Sequence, residues 1–203
     1  MHTFSPSYDN RIARRYSVSS LEQKVANKTA LQKELGWPAE PKRPLICLPA
    51  GMTDELGGKL LEEILPGLLS LPVELLILGK GPASYGALFT KLAHDHSHRI
   101  AIIPAKEDAI RKMYAAADMA LFLEDPTRQK ELEQCLSYGV VPVCPESKRL
   151  ENYDPIQESG NAFTYEKPTV WHCFTAIVRA METHRFPFDW RTIQRYGMES
   201  VQE

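Results

Sequence analysis

Apolar residues in this chain fall into short runs of strand length, and between the runs they recur at helical spacing. The stretch from Ala116 to Val143 carries the alternation most clearly. Met119 to Leu123 is an apolar run the length of a strand. Asp125 is placed to N-cap a following helix, with Pro126 in its first turn. Leu132, Cys135, Leu136 and Val140 then recur at helical spacing, Gly139 fits a C-terminal cap, and Val140 to Val143 reads as the next buried strand. Two fully apolar strands joined through a helix are a piece of parallel sheet.

The same alternation runs through most of the chain. Met1 to Tyr16 is polar and irregular, with basic residues at Arg11, Arg14 and Arg15, and residues 1–19 read as an arm. Ser20 is expected to cap a helix from Leu21 to Leu35, whose stripe is Leu21, Val25, Leu31 and Leu35 and which stops at Gly36. Pro38, Pro41 and Pro44 form a stiff connector. Strands are then expected at Leu45 to Leu48, Val73 to Leu78, Arg99 to Ile103 and Ala162 to Thr164. Helices are expected at Asp54 to Ser70 (capped by Thr53), Ser84 to Asp95, Glu107 to Ala116 and Thr169 to Thr183, with a last one opened by Asp189. The stripe Phe174, Ile177, Val178 and Met181 faces inward. Six short strands alternating with helices imply a doubly wound, mostly parallel α/β sheet with helices on both faces. The domain spans 20–199, with its sheet core in 45–165 and C-terminal helices in 169–199. Ligands on such sheets bind beyond the carboxyl ends of the strands, so loops 49–53, 79–83, 104–107, 124–128 and 144–151 are where chemistry is expected.

Composition narrows the function classes. The 203 residues carry 24 basic and 26 acidic side chains, a net charge of −2, which gives no basic field for nucleic acid or an anionic membrane. The longest apolar runs suit strands rather than membrane spans, and the N-terminus lacks a charged-then-apolar leader pattern, so a cytoplasmic protein is expected. Cys47, Cys135, Cys144 and Cys173 are scattered and read as reduced core thiols. His94, His96 and His98 alternate across a helix end and share no face, so neither a metal nor a cofactor is expected. No P-loop and no nucleophile elbow occurs.

Several stretches together resemble one family. Asn27-Lys28-Thr29-Ala30-Leu31-Gln32, Met52-Thr53-Asp54-Glu55-Leu56-Gly57, Leu76-Ile77-Leu78-Gly79-Lys80-Gly81, Tyr114-Ala115-Ala116-Ala117-Asp118, Tyr138-Gly139-Val140-Val141-Pro142-Val143 and Phe188-Asp189-Trp190 follow in the order found in the C-terminal half of bacterial glycogen synthases and plant starch synthases. The resemblance implies a GT-B glycosyltransferase, whose two Rossmann-like domains face each other across a cleft. It covers the second domain, which in the family holds the nucleotide-sugar donor, ADP-glucose in bacteria.

The resemblance also shows where this chain departs. The family neutralises the leaving diphosphate with an Arg and a Lys, which align with Gly51 and Leu56. Its acidic loop aligns with Asp125-Pro126, about one residue short and without the family's glycine, and its second acid falls at Gln134. Its base-packing tyrosine aligns with Ala105, and its Gly-Gly loop with Lys148-Arg149. By family position the nucleotide-sugar contacts would be Gly51, Thr53, Gly79, Gly81, Asp125 and Thr127. Arg128, Lys130, Lys148 and Arg149 are candidate anion contacts, although Arg128 and Lys130 oppose a helix macrodipole unless an anion or acid sits nearby. No catalytic residue is assigned. The expectation is a donor domain with its chemistry degenerate, taking ADP, ADP-glucose or a glucan weakly. The rival is a working glucosyltransferase half that acts with an N-terminal domain or partner chain. Self-association through the exposed cleft face is a third reading.

Overall fold

A computed structural model describes residues 4–202. Six strands form one sheet in the order β3-β2-β1-β4-β5-β6, and every neighbouring pair is parallel. They are β1 Leu45–Leu48, β2 Glu74–Leu78, β3 Ile100–Ile103, β4 Met119–Leu121, β5 Val141–Pro145 and β6 Phe163–Tyr165. The helices are α1 Val25–Glu34, α2 Gly58–Ser70, α3 Ala83–Asp95, α4 Glu107–Ala116, α5 Lys130–Ser137, α6 Val170–His184 and α7 Pro187–Ser200. The expected doubly wound α/β class is what forms.

Side-chain alternation divides the core between the two sheet faces. Ile46, Leu48, Leu75, Ile77, Met119, Leu121, Val141 and Val143 pack with α2, α3 and α6. Leu45, Cys47, Leu76, Leu78 and Ala120 pack with α1, α4 and α5 on the other side. Both faces are covered, which is why the strands read as unbroken apolar runs. Helix α7 contributes Trp190 and Ile193 to the first layer and Met198 to the second. The four cysteines are buried and free.

Several boundaries differ from the sequence reading for identifiable reasons. The first helix is broken: a 3-10 turn at Val18–Gln23 precedes α1, because Ser20 leaves helical geometry and its side chain bonds the Ser17 backbone N–H (2.9 Å). Ser20 therefore caps nothing beyond that turn, and Val25 is exposed rather than part of the stripe. Helix α2 starts at Gly58, four residues later than expected, because Thr53 to Gly57 form a turn in which Thr53 Oγ1 accepts from Leu56 N (3.1 Å). Asp125 caps the short 3-10 turn Pro126–Arg128, and Gln129 precedes α5. Helix α7 begins at Pro187, which puts Asp189 in its first turn rather than at the cap. The buried face of α6 is Cys173, Ala176, Ile177 and Ala180, while Phe174, Val178 and Met181 are half-buried.

The opening segment is no loose arm. Tyr16 and Asp9 are buried; Tyr138 Oη donates to Asp9 Oδ2, and Arg111 Nη1 lies 3.4 Å from the same oxygen. Asn27 clamps the backbone of Arg14 through two hydrogen bonds, of 2.9 and 2.8 Å.

A buried ion pair joins the sheet to α1. Lys28 Nζ stands 2.7 Å from Asp118 Oδ2 and also donates to the Pro41 carbonyl (2.9 Å). The same carboxylate accepts from Leu45 N (2.8 Å) and faces His184 Nε2 at 3.3 Å. Burial alone would raise the Asp118 pKa, but Lys28 and His184 outweigh it and hold it below the ordinary carboxylate range. A depressed carboxyl stabilises the fold above its unfolded pKa, about 4, and that contribution is lost as pH falls through the range below it. Lys28→Met strands a buried carboxylate, so urea unfolding at pH 7 is expected to show a loss of about 3–5 kcal/mol. The deficit should shrink on acidification, as Asp118, no longer held down by Lys28, takes up a proton in the variant while it stays ionised in the wild type.

Candidate functional site

Parallel strands place all the residues singled out by sequence on one edge. Gly51 and Thr53 follow β1, Gly79 and Gly81 follow β2, Asp125, Thr127, Arg128 and Lys130 follow β4, and Lys148 and Arg149 follow β5. These are the loops at the carboxyl ends of the strands, the usual ligand mouth of the fold.

The glycines there serve contact between loops. Gly51 and Gly81 both have left-handed φ, of 70° and 132°. A Cβ on Gly51 would stand 2.1 Å from the Lys80 carbonyl oxygen, and one on Gly81 would stand 2.1 Å from that of Met52. The two backbones close on each other, and Met52 N donates to Lys80 O (3.1 Å). Both glycines are therefore required by the approach of the first loop to the second.

The amino end of α2 packs against α3. A helix N-terminus attracts anions through its free N–H groups and dipole. Here the Tyr85 ring lies against Gly58: the hydroxyl is 1.8 Å from where a Cβ would sit, so a side chain there would have to displace the ring, while Gly57, Lys59 and Leu60 line an open cleft. That hydroxyl donates to Asp54 Oδ1 at 2.5 Å. The bond to Asp54, with burial second, pushes the Tyr85 pKa up to about 12. Beside this pair opens a cleft of about 420 Å³ lined by Asp54, Lys59, Glu63, Glu124, Leu123 and Pro168, among others. Its charged lining is three carboxylates against one lysine. Leu56 packs against the core instead of facing the cleft.

The other loops present cations. Thr127 Oγ1 lies 2.7 Å from Ser147 Oγ, which ties the loop after β4 to the loop after β5. Asp125 Oδ1 accepts from Thr127 N at 2.9 Å; bonds from Thr127 lead the causes that hold its pKa below the usual range. Arg128, Lys130, Lys148 and Arg149 are exposed around this junction. Glu131 and Glu133 in the first turn of α5 offset the unfavourable placing of Arg128 and Lys130 at a positive helix end. Gln134 accepts from the Tyr114 hydroxyl (3.0 Å), so its amide is engaged in the fold. Ala105 is exposed after β3.

Sequence reasoning noticed the acids Asp54 and Glu124 and missed Tyr85, Glu63 and Ser147. The Gly57-Gly58 pair was the available signal, because two glycines opening a helix announce something packed closely against it. Among the described residues no cluster of three His, Cys, Asp or Glu side chains could hold a metal. No described helix is long and apolar enough to cross a membrane.

Comparison with known proteins supplies the class and then the family. In fold, the chain resembles the catalytic domain of starch synthase IV from Arabidopsis thaliana, solved bound to ADP and acarbose, with a TM-score of 0.83 at 18% identity over 96% of this chain and 42% of that one. It also resembles sucrose-phosphate synthase from Thermosynechococcus elongatus, with a TM-score of 0.62 at 16% identity over 84% of this chain and 43% of that one. The architecture is that of a GT-B C-terminal domain. No family model matches the chain. In sequence it is 30% identical to glycogen synthase 1 of Synechocystis, over 97% of this chain and 43% of that protein, and 34% identical to glycogen synthase 2 of Geobacter sulfurreducens, over 96% and 42%. The chain is a glycogen/starch synthase-like C-terminal domain in sequence and fold, and it spans less than half the length of the curated relatives it matches.

Two outcomes follow from the mouth's geometry. Asp54→Asn removes the charged acceptor, so the Tyr85 phenol should titrate below about 12, read by ultraviolet absorbance in an alkaline titration. Gly51→Arg, which places a family-type cation in the first loop, should cost about 2 kcal/mol or more in urea unfolding, because its Cβ collides with a carbonyl at positive φ.

Proposed function

We propose that this chain is a glycogen/starch-synthase-type donor domain whose nucleotide-sugar chemistry is lost or strongly weakened. Its role is then non-catalytic, as a glucan- or protein-binding module or as the partner of a separate acceptor domain. The single observation that carries the reading is the start of α2, where the Tyr85 hydroxyl packs on Gly58 and is bonded to the Asp54 carboxylate. A diphosphate approaching that helix meets a carboxylate and a phenol, with Glu63 and Glu124 lining the adjoining cleft. Coulomb repulsion and lost donors act in the same direction. Removing one preorganised stabiliser of developing charge slows an enzyme by about 10²–10³, and here both family cations are replaced, by Gly51 and Leu56. The matched relatives are more than twice as long, which supports pairing with an acceptor half.

A second reading rests on the Thr127–Ser147 bond. It brings the loops bearing Arg128, Lys130, Lys148 and Arg149 together, and these could hold phosphates in a rearranged donor site. The starch synthase neighbour, solved with ADP, keeps nucleotide in view as a ligand class. In that case the chain is the functional half of a glucosyltransferase that works with a partner.

Isothermal titration separates the two. Titration with ADP and with ADP-glucose is expected to give dissociation constants weaker than about 1 mM. Low-micromolar binding overturns the degenerate reading. If binding of that strength is found, Arg128→Glu with Lys148→Glu should weaken it by about tenfold or more under the second reading, and an unchanged affinity excludes the rearranged site.

A further inference from the structure

The mouth end of the sheet exposes an aromatic ring that nothing in the fold requires. Trp171 is 76% exposed, whereas Trp37 and Trp190 are each 5% exposed. It lies in the first turn of α6, and helices α2 and α6 both start at the mouth. Further down, Phe174 packs on Gly67, where an added Cβ would stand 2.9 Å from its ring. One turn nearer the mouth, Trp171 on α6 and Glu63 on α2 therefore flank the same groove. That groove leads into the mouth cleft, which Glu63, Glu124, Lys59 and Pro168 line. Among the described residues Glu63, Glu124 and Lys59 make no side-chain hydrogen bond or ion pair, and all three are exposed. A bare indole beside two free carboxylates has the make-up of an interface anchor with a charged rim.

The foot of the sheet has the converse features. A cavity of about 750 Å³ opens there. Asp118 immediately precedes β4, and His184 and Arg185 close α6, so the residues around it lie at the amino ends of the strands. Leu21, Val25, Pro41 and Pro187 give the cavity apolar walls, and Phe186 and Phe188 beside it are largely exposed. Trp190 Nε1 is buried in the wall without a hydrogen-bond partner. Lys28 and Lys24 are engaged within the fold, the first with Asp118 and the second with the Tyr114 and Ala115 carbonyls. Lys42, Arg185 and Arg191 are exposed in the lining and, among the described residues, make no side-chain hydrogen bond or ion pair. Against these three cations stand Glu22 in the lining and Asp189 in the first turn of α7.

The two ends are complementary in charge and in shape. One offers an apolar ring within an acidic rim, and the other an apolar-walled cavity within a basic rim. We infer that each end is the docking site for a second copy of this chain, bound head to tail. Trp171 of one copy enters the foot cavity of the next, and Glu63 and Glu124 face Lys42, Arg185 and Arg191. Because the surfaces lie at opposite ends of the sheet, the contact is heterologous. A dimer leaves one mouth and one foot free, so assembly continues into an open chain or a larger ring. This goes beyond the degenerate-donor reading and does not depend on it.

The test follows the full chain by sedimentation velocity between about 1 and 100 µM. At low salt the weight-average sedimentation coefficient should climb with concentration past that of a dimer, and in about 0.5 M sodium chloride it should fall back towards the monomer. Over the same range acrylamide should quench tryptophan fluorescence less, since Trp171 is the exposed one of the three tryptophans. Two variants separate the ends: Trp171→Ala with Glu63→Gln at the mouth, and Lys42→Glu with Arg191→Glu at the foot. Each alone should weaken association by about tenfold or more. Equal amounts of the two supply one intact mouth and one intact foot, so the mixture should form a heterodimer and nothing larger. All four side chains are exposed, so no core contact is removed, and circular dichroism establishes that each variant is folded. A monomer at every concentration, a closed wild-type dimer that does not grow, or a mixture that stays monomeric each overturns the inference. The ADP titration is run on dilute monomer, so the donor reading and this one fail separately.

Discussion

The fold depends on one carboxylate. Asp118 sits where β4 begins and is reached by Lys28 from α1, by the Leu45 backbone at the start of β1 and by His184 from the end of α6. Its own backbone continues the sheet, donating to Leu45 O and accepting from Val141 N. A buried charge is tolerated only when paired and hydrogen-bonded, so each of these elements has one place in which it satisfies Asp118. The ion pair fixes position as much as it adds stability. It sets the register of the central strands and orients α1 across them.

This accounts for which parts of the family pattern persist. Asn27 holds the opening segment, Lys28 holds Asp118, Gln32 Nε2 donates to the buried Glu74 (2.6 Å), and the Gly139 carbonyl accepts from Gln194 (2.9 Å). Tyr138 joins the same framework through Asp9 and through its backbone carbonyl, which accepts from the Tyr16 hydroxyl (2.6 Å). Asn27, Lys28, Gln32, Asp118, Tyr138 and Gly139 belong to motifs through which the sequence resembles glycogen and starch synthases, and each acts in the scaffold. The positions that the resemblance marks as departures, Gly51, Leu56, Ala105 and Lys148-Arg149, lie in the loops at the mouth. A lost buried partner strands a charge, whereas an exposed loop residue such as Ala105, Lys148 or Arg149 can change at little cost in stability; Gly51, held against the Lys80 carbonyl, and Leu56, packed on the core, are not free in that way.

The two ends of the sheet also differ electrostatically. At the mouth cleft carboxylates outnumber cations, and a phenol packs on the first residue of α2; at the foot, cations without partners surround a larger cavity.

The sequence by itself determined the class of fold and the order of its elements. Apolar runs of four or five residues bounded by turns have few alternatives once helices separate them, and helix α4, with Glu107 at its start and Ala116 at its end, was legible to the residue. It also determined which loops lie at the mouth, since parallel strands leave no choice of end. The tertiary structure decided the rest. Whether Gly51 and Gly81 cradle a ligand or each other's loops depends on a backbone approach between segments thirty residues apart, which no local pattern encodes. The role of Tyr85 became visible only when α3 was laid beside α2. Local propensity and periodicity act within one element, whereas a site is assembled from side chains of several, and their convergence is fixed by packing alone.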